Sequence, residues 1–130
     1  MARVAEFMSR TLHKAVQTTS VAEAATIMAR GQVGSTLVME GERLIGIFTE
    51  RDMVRAVSHS PDAPADPVGH WMTPDPQTVE SGDRVEDALR RMVDGGFRHL
   101  PVVDRHGDLV GMLSMRDLAR AGVRGAVAKV

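Results

Sequence analysis

The residues best suited to chemistry occur as two matching sets. Gly46-Ile47-Phe48-Thr49-Glu50-Arg51-Asp52 has a counterpart in Gly111-Met112-Leu113-Ser114-Met115-Arg116-Asp117. In each set an apolar run ends in a hydroxyl residue, and an aspartate follows three positions later. A carboxylate accepts two hydrogen bonds at once, so Asp52 or Asp117 can grip a vicinal diol such as the 2′ and 3′ hydroxyls of a ribose. Thr49 and Ser114 can donate to a sugar or phosphate oxygen. A strand-to-helix junction also offers free N–H groups and the positive end of the helix dipole, which suits a phosphate. The same spacing has a plainer reading. A hydroxyl at the N-cap with an acid three residues on is a capping box. Residue types alone leave both readings open, and the hydroxyls can serve in both. Gly46 and Gly111, lacking a Cβ, allow either tight strand packing or close approach of a ligand.

Two such sets need a scaffold built twice, and the rest of the chain repeats in step with them. Val4-Ala5-Glu6-Phe7-Met8-Ser9 aligns with Val68-Gly69-His70-Trp71-Met72-Thr73 at an offset of 64. That offset also carries Val21, Ala24, Met28 and Val38 onto Val85, Ala88, Met92 and Val102. Beyond Glu40 it becomes 65, because Arg105-His106-Gly107-Asp108 is one residue longer than Gly41-Glu42-Arg43, as a hairpin loop tolerates. Apolar residues from Val21 to Met28 and from Val85 to Val93 recur at helical spacing. Ser20 and Asp83 are the expected caps, and Gly31 and Gly95 the expected helix stops. Two strands follow in each copy, Ser35 to Met39 with Leu44 to Phe48, and His99 to Val103 with Leu109 to Leu113. A second helix then starts at Thr49 or Ser114. Short extended pieces, Lys14 to Gln17 and Thr78 to Ser81, lead each copy. The expected organisation is repeat 1 over 1–60, a proline-rich connector over 61–67, repeat 2 over 68–122, and a tail over 123–130 without a strong pattern, expected to fray.

Composition narrows the function classes. A half of about 65 residues is marginal alone, so the two halves are expected to share a core. Sixteen basic and 17 acidic residues give a net charge of −1, unlike the basic excess of a dedicated nucleic-acid binder. With no cysteine, disulfides and thiolate zinc sites are excluded. The histidines at 13, 59, 70, 99 and 106 have no metal-ligand spacing, so no metal site is read. No nucleophile elbow and no P-loop occurs, and no residues are visible to carry catalysis, so an enzyme is not expected. No apolar stretch approaches the length of a membrane span, and the N-terminus does not read as a secretory signal. A cytoplasmic location is the expectation.

The pattern closely resembles the CBS domain, the cystathionine-β-synthase repeat, two of which in tandem form a Bateman module. Three fingerprints carry the resemblance. The entry is Val68-x-x-x-Met72-Thr73-Pro74 with Thr78-Val79 behind it, echoed by Val4-x-x-x-Met8-Ser9. The middle strand is Arg98-His99-Leu100-Pro101-Val102-Val103-Asp104, and the exit is Gly-x-x-Thr/Ser-x-x-Asp in both copies. The resemblance implies an α/β fold of tandem CBS repeats, each helix-strand-strand-helix with a short leading strand, packed about a pseudo-twofold axis. It also implies two clefts between the repeats, where relatives bind AMP, ADP, ATP or S-adenosylmethionine.

On that resemblance the expected ligand-binding residues are Asp117, Ser114, Arg116, Met112, Arg98, His99, Phe97 and Thr78, with Asp52, Thr49, Arg51, Ile47, Val33 and Gly34. The aspartates take the ribose, Arg98 and His99 reach phosphate or form a solvated turn, and Arg51 and Arg116 meet a phosphate, a partner subunit or solvent. Val33, Phe97, Ile47 and Met112 either form apolar walls for an adenine ring or belong to the ordinary core. Gly34 and Ser35 stand where the second copy has Arg98 and His99, so the clefts are expected to be unequal. That of Asp117 should prefer phosphorylated ligands, and that of Asp52 should bind more weakly, bind a neutral nucleoside or stay empty. Met53, Val54, Val57 and Leu118 either face a partner subunit in a homodimer or belong to the core of the module itself. The implied function is a stand-alone regulatory module that binds an adenine nucleotide as regulatory ligand, has no catalytic cofactor, and signals to an effector protein in trans. The alternatives are a structural or interaction dimer with unoccupied clefts and a nucleic-acid-binding CBS protein.

Overall fold

A computed structural model describes residues 2–126. The elements run β1 (Lys14–Val16), α1 (Val21–Gly31), β2 (Ser35–Glu40), β3 (Arg43–Thr49), α2 (Glu50–His59), β4 (Thr73–Pro74), β5 (Val79–Glu80), α3 (Val85–Gly95), β6 (His99–Val103), β7 (Leu109–Ser114) and α4 (Met115–Arg120). Short 3-10 turns stand at Val4–Glu6, Ala63–Ala65 and Val68–His70.

Helical spacing of apolar residues does in α1 and α3 what it predicts. Val21, Ala24 and Met28 turn inward on α1, and Val85, Ala88 and Met92 do so on α3. Ser20 caps α1, its hydroxyl oxygen accepting from the Glu23 N–H at 3.1 Å. The expected Asp83 cap does not form. Its carboxylate instead accepts from the Glu80 N–H at 3.0 Å, closing the turn before α3, and the N-cap residue is Arg84. Gly31 and Gly95 are the last helical residues rather than the stops. The left-handed cap falls one residue later, on Gln32 (φ 54°) and Gly96 (φ 72°). The glycines are needed for space, because a Cβ on Gly31 would meet the His13 ring and one on Gly95 the Phe97 ring.

Contacts divide the chain into two compact units, residues 13–76 and residues 1–12 with 77–130. These units do not follow the sequence repeats. The segment that opens the second copy packs within the first unit, where Val68 joins Val21, Ala24, Met28, Val38 and Phe48 in one core. The Val68 N–H donates to the Thr19 carbonyl at 2.7 Å and the Gly69 N–H to that of Gln17 at 3.0 Å. The segment that opens the first copy does the same in the other unit. Val4 is fully buried among Val85, Ala88, Met92, Leu100, Val102 and Leu113, and the Val4 N–H donates to the Asp83 carbonyl at 2.9 Å.

Each unit holds a small mixed sheet. In residues 13–76 the strand order is β1-β2-β3-β4, with β1 parallel to β2 and the other pairings antiparallel. In the other unit the order is β5-β6-β7, again with a parallel first pair. Where β4 lies beside β3, the second unit has a single bridge from Ser9 to Met112. Both glycines of the exit motif lie in these strands. A Cβ on Gly46 would collide with the Met72 side chain, and one on Gly111 with that of Met8. Tight packing, the first of the two expected reasons, accounts for both.

Two expectations on packing change. Leu118 is fully buried in the core with Val4, Leu113 and Met115, so it is not available to a partner subunit. The first part of the expected tail is packed as well, for Val123 and Ala126 are buried in that core. Residues 127–130 of that tail lie outside the described residues. Among the described residues, no helix is long and apolar enough to cross a membrane.

Candidate functional site

The site residues gather at the two strand-to-helix junctions. In both, the sequence folds into the capping box that its spacing allows. The Thr49 hydroxyl oxygen accepts from the Asp52 N–H, and Asp52 Oδ2 accepts from the Thr49 N–H at 3.0 Å. Ser114 Oγ accepts from the Asp117 N–H at 3.1 Å, and Asp117 Oδ2 accepts from the Ser114 N–H at 2.8 Å. These bonds fix the aspartates by their backbone rather than leaving them to rotate freely.

Each junction also closes on the residue before its middle strand. The Glu50 N–H donates to the Gly34 carbonyl at 3.1 Å, and the Met115 N–H to the Arg98 carbonyl at 2.8 Å. The first and third N–H groups of α2 and of α4 are therefore already paired. This leaves less of either helix start for a phosphate than the sequence suggested.

The two aspartates differ in what remains. Asp52 is 6% exposed. Its Oδ2 takes a second bond from the Thr49 hydroxyl at 3.1 Å. Its Oδ1 faces the Arg55 guanidinium at 3.4 Å and the Thr73 hydroxyl at 3.5 Å. Asp117 is half-buried. Its Oδ2 holds the Ser114 N–H, while its Oδ1 has no hydrogen bond from another described residue. A carboxylate fixed by one oxygen and open at the other is preorganised to accept hydroxyl donors.

The remaining expected residues fall around the same junctions. In residues 13–76, Ile47 is buried in β3 across from Leu37, Val33 is half-buried against the core, and Arg51 is exposed on the first turn of α2. In the other unit, His99 opens β6 opposite Ser114, and Pro101 pairs with Met112 of β7. Arg98 and Arg116 are exposed, and Phe97 is half-buried over Gly95. Thr78 stands apart from this grouping in its interactions. Its carbonyl accepts from Arg91 of α3, a role in holding the leading strand.

Sequence reasoning passed over the surroundings of Asp52. Arg55 Nη2 donates to the Trp71 carbonyl at 2.7 Å, and its guanidinium lies 5.7 Å from the centre of the Trp71 ring. Trp71 Nε1 in turn donates to Asp66 Oδ2 at 3.0 Å. The only available signal was the spacing of Asp52 and Arg55, three apart on one helix. Among the described residues, no group of three or more His, Cys, Asp or Glu could hold a metal ion.

Known proteins share this architecture. The sequence matches the CBS domain twice, over residues 4–59 and 68–124. A 17.7 kDa protein of Acidianus ambivalens is 45% identical over 103 residues, covering 78% of this chain and 62% of that protein. The chain thus spans less than two thirds of that relative's length. A CBS-domain-containing protein of Agrobacterium tumefaciens has a solved structure with a TM-score of 0.88 and 27% identity, covering 94% of this chain and all of that one. A CBS domain protein of Pyrobaculum aerophilum, solved in complex with AMP, has a TM-score of 0.84 and 30% identity, covering 98% of this chain and 97% of that one. Two matched repeats, two small sheets of mixed strand direction and a hydroxyl-x-x-Asp junction in each repeat place the chain in the CBS domain family.

Proposed function

We propose that this chain is a regulatory module that binds an adenine nucleoside or nucleotide and has no catalytic activity of its own. The observation that carries the reading is the Asp117 carboxylate, fixed through Oδ2 and, among the described residues, open at Oδ1. Two ribose hydroxyls are the donors that it suits. The AMP complex of the Pyrobaculum aerophilum relative supports the choice of ligand class. Arg98 and Arg116, both exposed, supply the positive charge for a phosphate. Asp52, already surrounded by donors, is the weaker acceptor, so the junctions are unequal. Binding alters the output only through a difference in affinity between two states, which a separate effector protein then reads. Val54 and Val57, 68% and 49% exposed on α2, are the apolar residues that we assign to contact with a second copy in a cytoplasmic homodimer.

Calorimetric titration with AMP tests the reading. The wild-type protein should bind saturably, Asp117→Ala should lose most of the binding, and Asp52→Ala should lose less. No saturable binding of AMP or of S-adenosylmethionine would overturn the reading. Equal losses in the two variants would overturn the inequality.

A further inference from the structure

We propose that Arg55 is a built-in competitor for the ligand at Asp52, and that it sets the lower affinity of that junction. The inference rests on the ribose reading above and adds a regulating residue to it. Arg55 Nη2 serves two acceptors at once, the Trp71 carbonyl at 2.7 Å and Asp52 Oδ1 at 3.4 Å. The first is a short hydrogen bond, while the second is at the far end of the range, well beyond the 2.7–2.9 Å usual for a charged pair. The arginine is therefore anchored on Trp71 and only leans on the aspartate. Its position over the Trp71 ring adds a second attachment away from Asp52. Losing the Asp52 contact leaves the anchor intact, so a ligand hydroxyl can displace this contact without freeing the side chain.

The contact matters because of which oxygen it takes. Oδ2 of Asp52 is committed to the Thr49 N–H and hydroxyl. Oδ1 is the oxygen left for a ribose, and Arg55 and Thr73 occupy it. The second copy has the same residue without the same bond. Arg120 stands three positions after Asp117, as Arg55 does after Asp52, yet no ion pair joins Arg120 to Asp117 among the described residues. The side chain of Arg55 is half exposed. A pair of that kind is weak, so its removal should change affinity by about two- to fivefold rather than by orders of magnitude.

The test uses adenosine, which carries no phosphate for an arginine to attract. Calorimetry compares wild type, Asp117→Ala, and Asp117→Ala with Arg55→Met. Methionine keeps an apolar stem over Trp71 and removes the fork. The expected result is that the double variant binds adenosine about two- to fivefold more tightly than Asp117→Ala does. Circular dichroism and Trp71 emission check that it is folded, and a gain in affinity does not arise from a damaged fold. Affinity that is unchanged or weaker in the double variant, with adenosine binding retained by wild type, overturns the role of Arg55 alone. Absence of adenosine binding in wild type overturns the ribose reading, and this inference with it.

Discussion

Gly111→Ala should destabilise the protein more than Gly46→Ala, although the two glycines occupy the same place in the repeat. A Cβ on Gly111 would lie 2.5 Å from the Met8 sulfur, 3.0 Å from Met8 Cγ and 3.0 Å from the Ser9 carbonyl oxygen. At Gly46 the three nearest atoms all belong to the Met72 side chain. Methionine is unbranched and can swing away, so the Gly46 site can yield. The Ser9 carbonyl cannot follow, because it accepts from the Met112 N–H at 2.9 Å while the Ser9 N–H donates back to Met112 at 2.9 Å. Overfilling a packed site costs about 1–3 kcal/mol. Replacing glycine with alanine returns about 0.4–1 kcal/mol through the unfolded chain. Gly46→Ala should then cost about 1 kcal/mol net, and Gly111→Ala about 2 kcal/mol, with a fall in Tm of roughly 6–8 °C for the latter. Urea unfolding of both variants, read by circular dichroism, measures the difference. A Gly111→Ala protein as stable as wild type, or a larger loss at Gly46, would refute the packing argument.

Two further outcomes can be checked on the same footing. The Thr36 hydroxyl is fully buried in β2 with no hydrogen-bond partner among the described residues, so Thr36→Val, which keeps the shape, should stabilise the protein by about 1 kcal/mol in urea unfolding. Asp104 accepts from the Asp108 and His106 N–H groups, at 3.0 Å and 2.8 Å, in the β6–β7 turn, and these bonds hold its carboxyl below the ordinary value of 3.8. A depressed carboxyl pKa stabilises the fold above the unfolded value and loses that contribution as pH falls through the folded one. Asp104→Asn should therefore unfold at a lower temperature than wild type near pH 7, and the gap should close as the solution is acidified below 3.8.

The elements were legible in the sequence wherever a local rule decides them. Period 3.6 marked α1 and α3, and the hydroxyl-x-x-Asp spacing marked both capping boxes. Errors arose where two groups compete for one partner. Asp83 was a fair cap by type, but the Glu80 N–H reaches its carboxylate first. Gly31 looked like a stop, whereas its missing Cβ makes room for His13 and the left-handed turn falls on Gln32. At Asp52, the sequence pointed to the carboxylate but not to what surrounds it. Arg55 reaches that site because the Trp71 carbonyl, 16 residues further on, holds it there. Such a contact depends on the fold of the whole unit and leaves no periodic trace.

The exchange of leading segments explains why the glycines and methionines of the repeat belong together. In sequence, Met8 and Gly46 lie in the same copy, as do Met72 and Gly111. In space, Met8 fills the notch above Gly111 and Met72 the notch above Gly46. Val4 and Val68 follow the same rule, each completing the core beside the junction of the other copy. The segment that carries Met72 continues directly into Thr73, whose hydroxyl faces Asp52, and it includes Trp71, whose carbonyl holds Arg55. The residues that anchor the segment in its core are thus adjacent to those that surround the carboxylate. A shift of the segment along the Gly46 notch would move the Arg55 anchor and the Thr73 hydroxyl together, so packing at the glycine and the availability of Asp52 are parts of one mechanical unit.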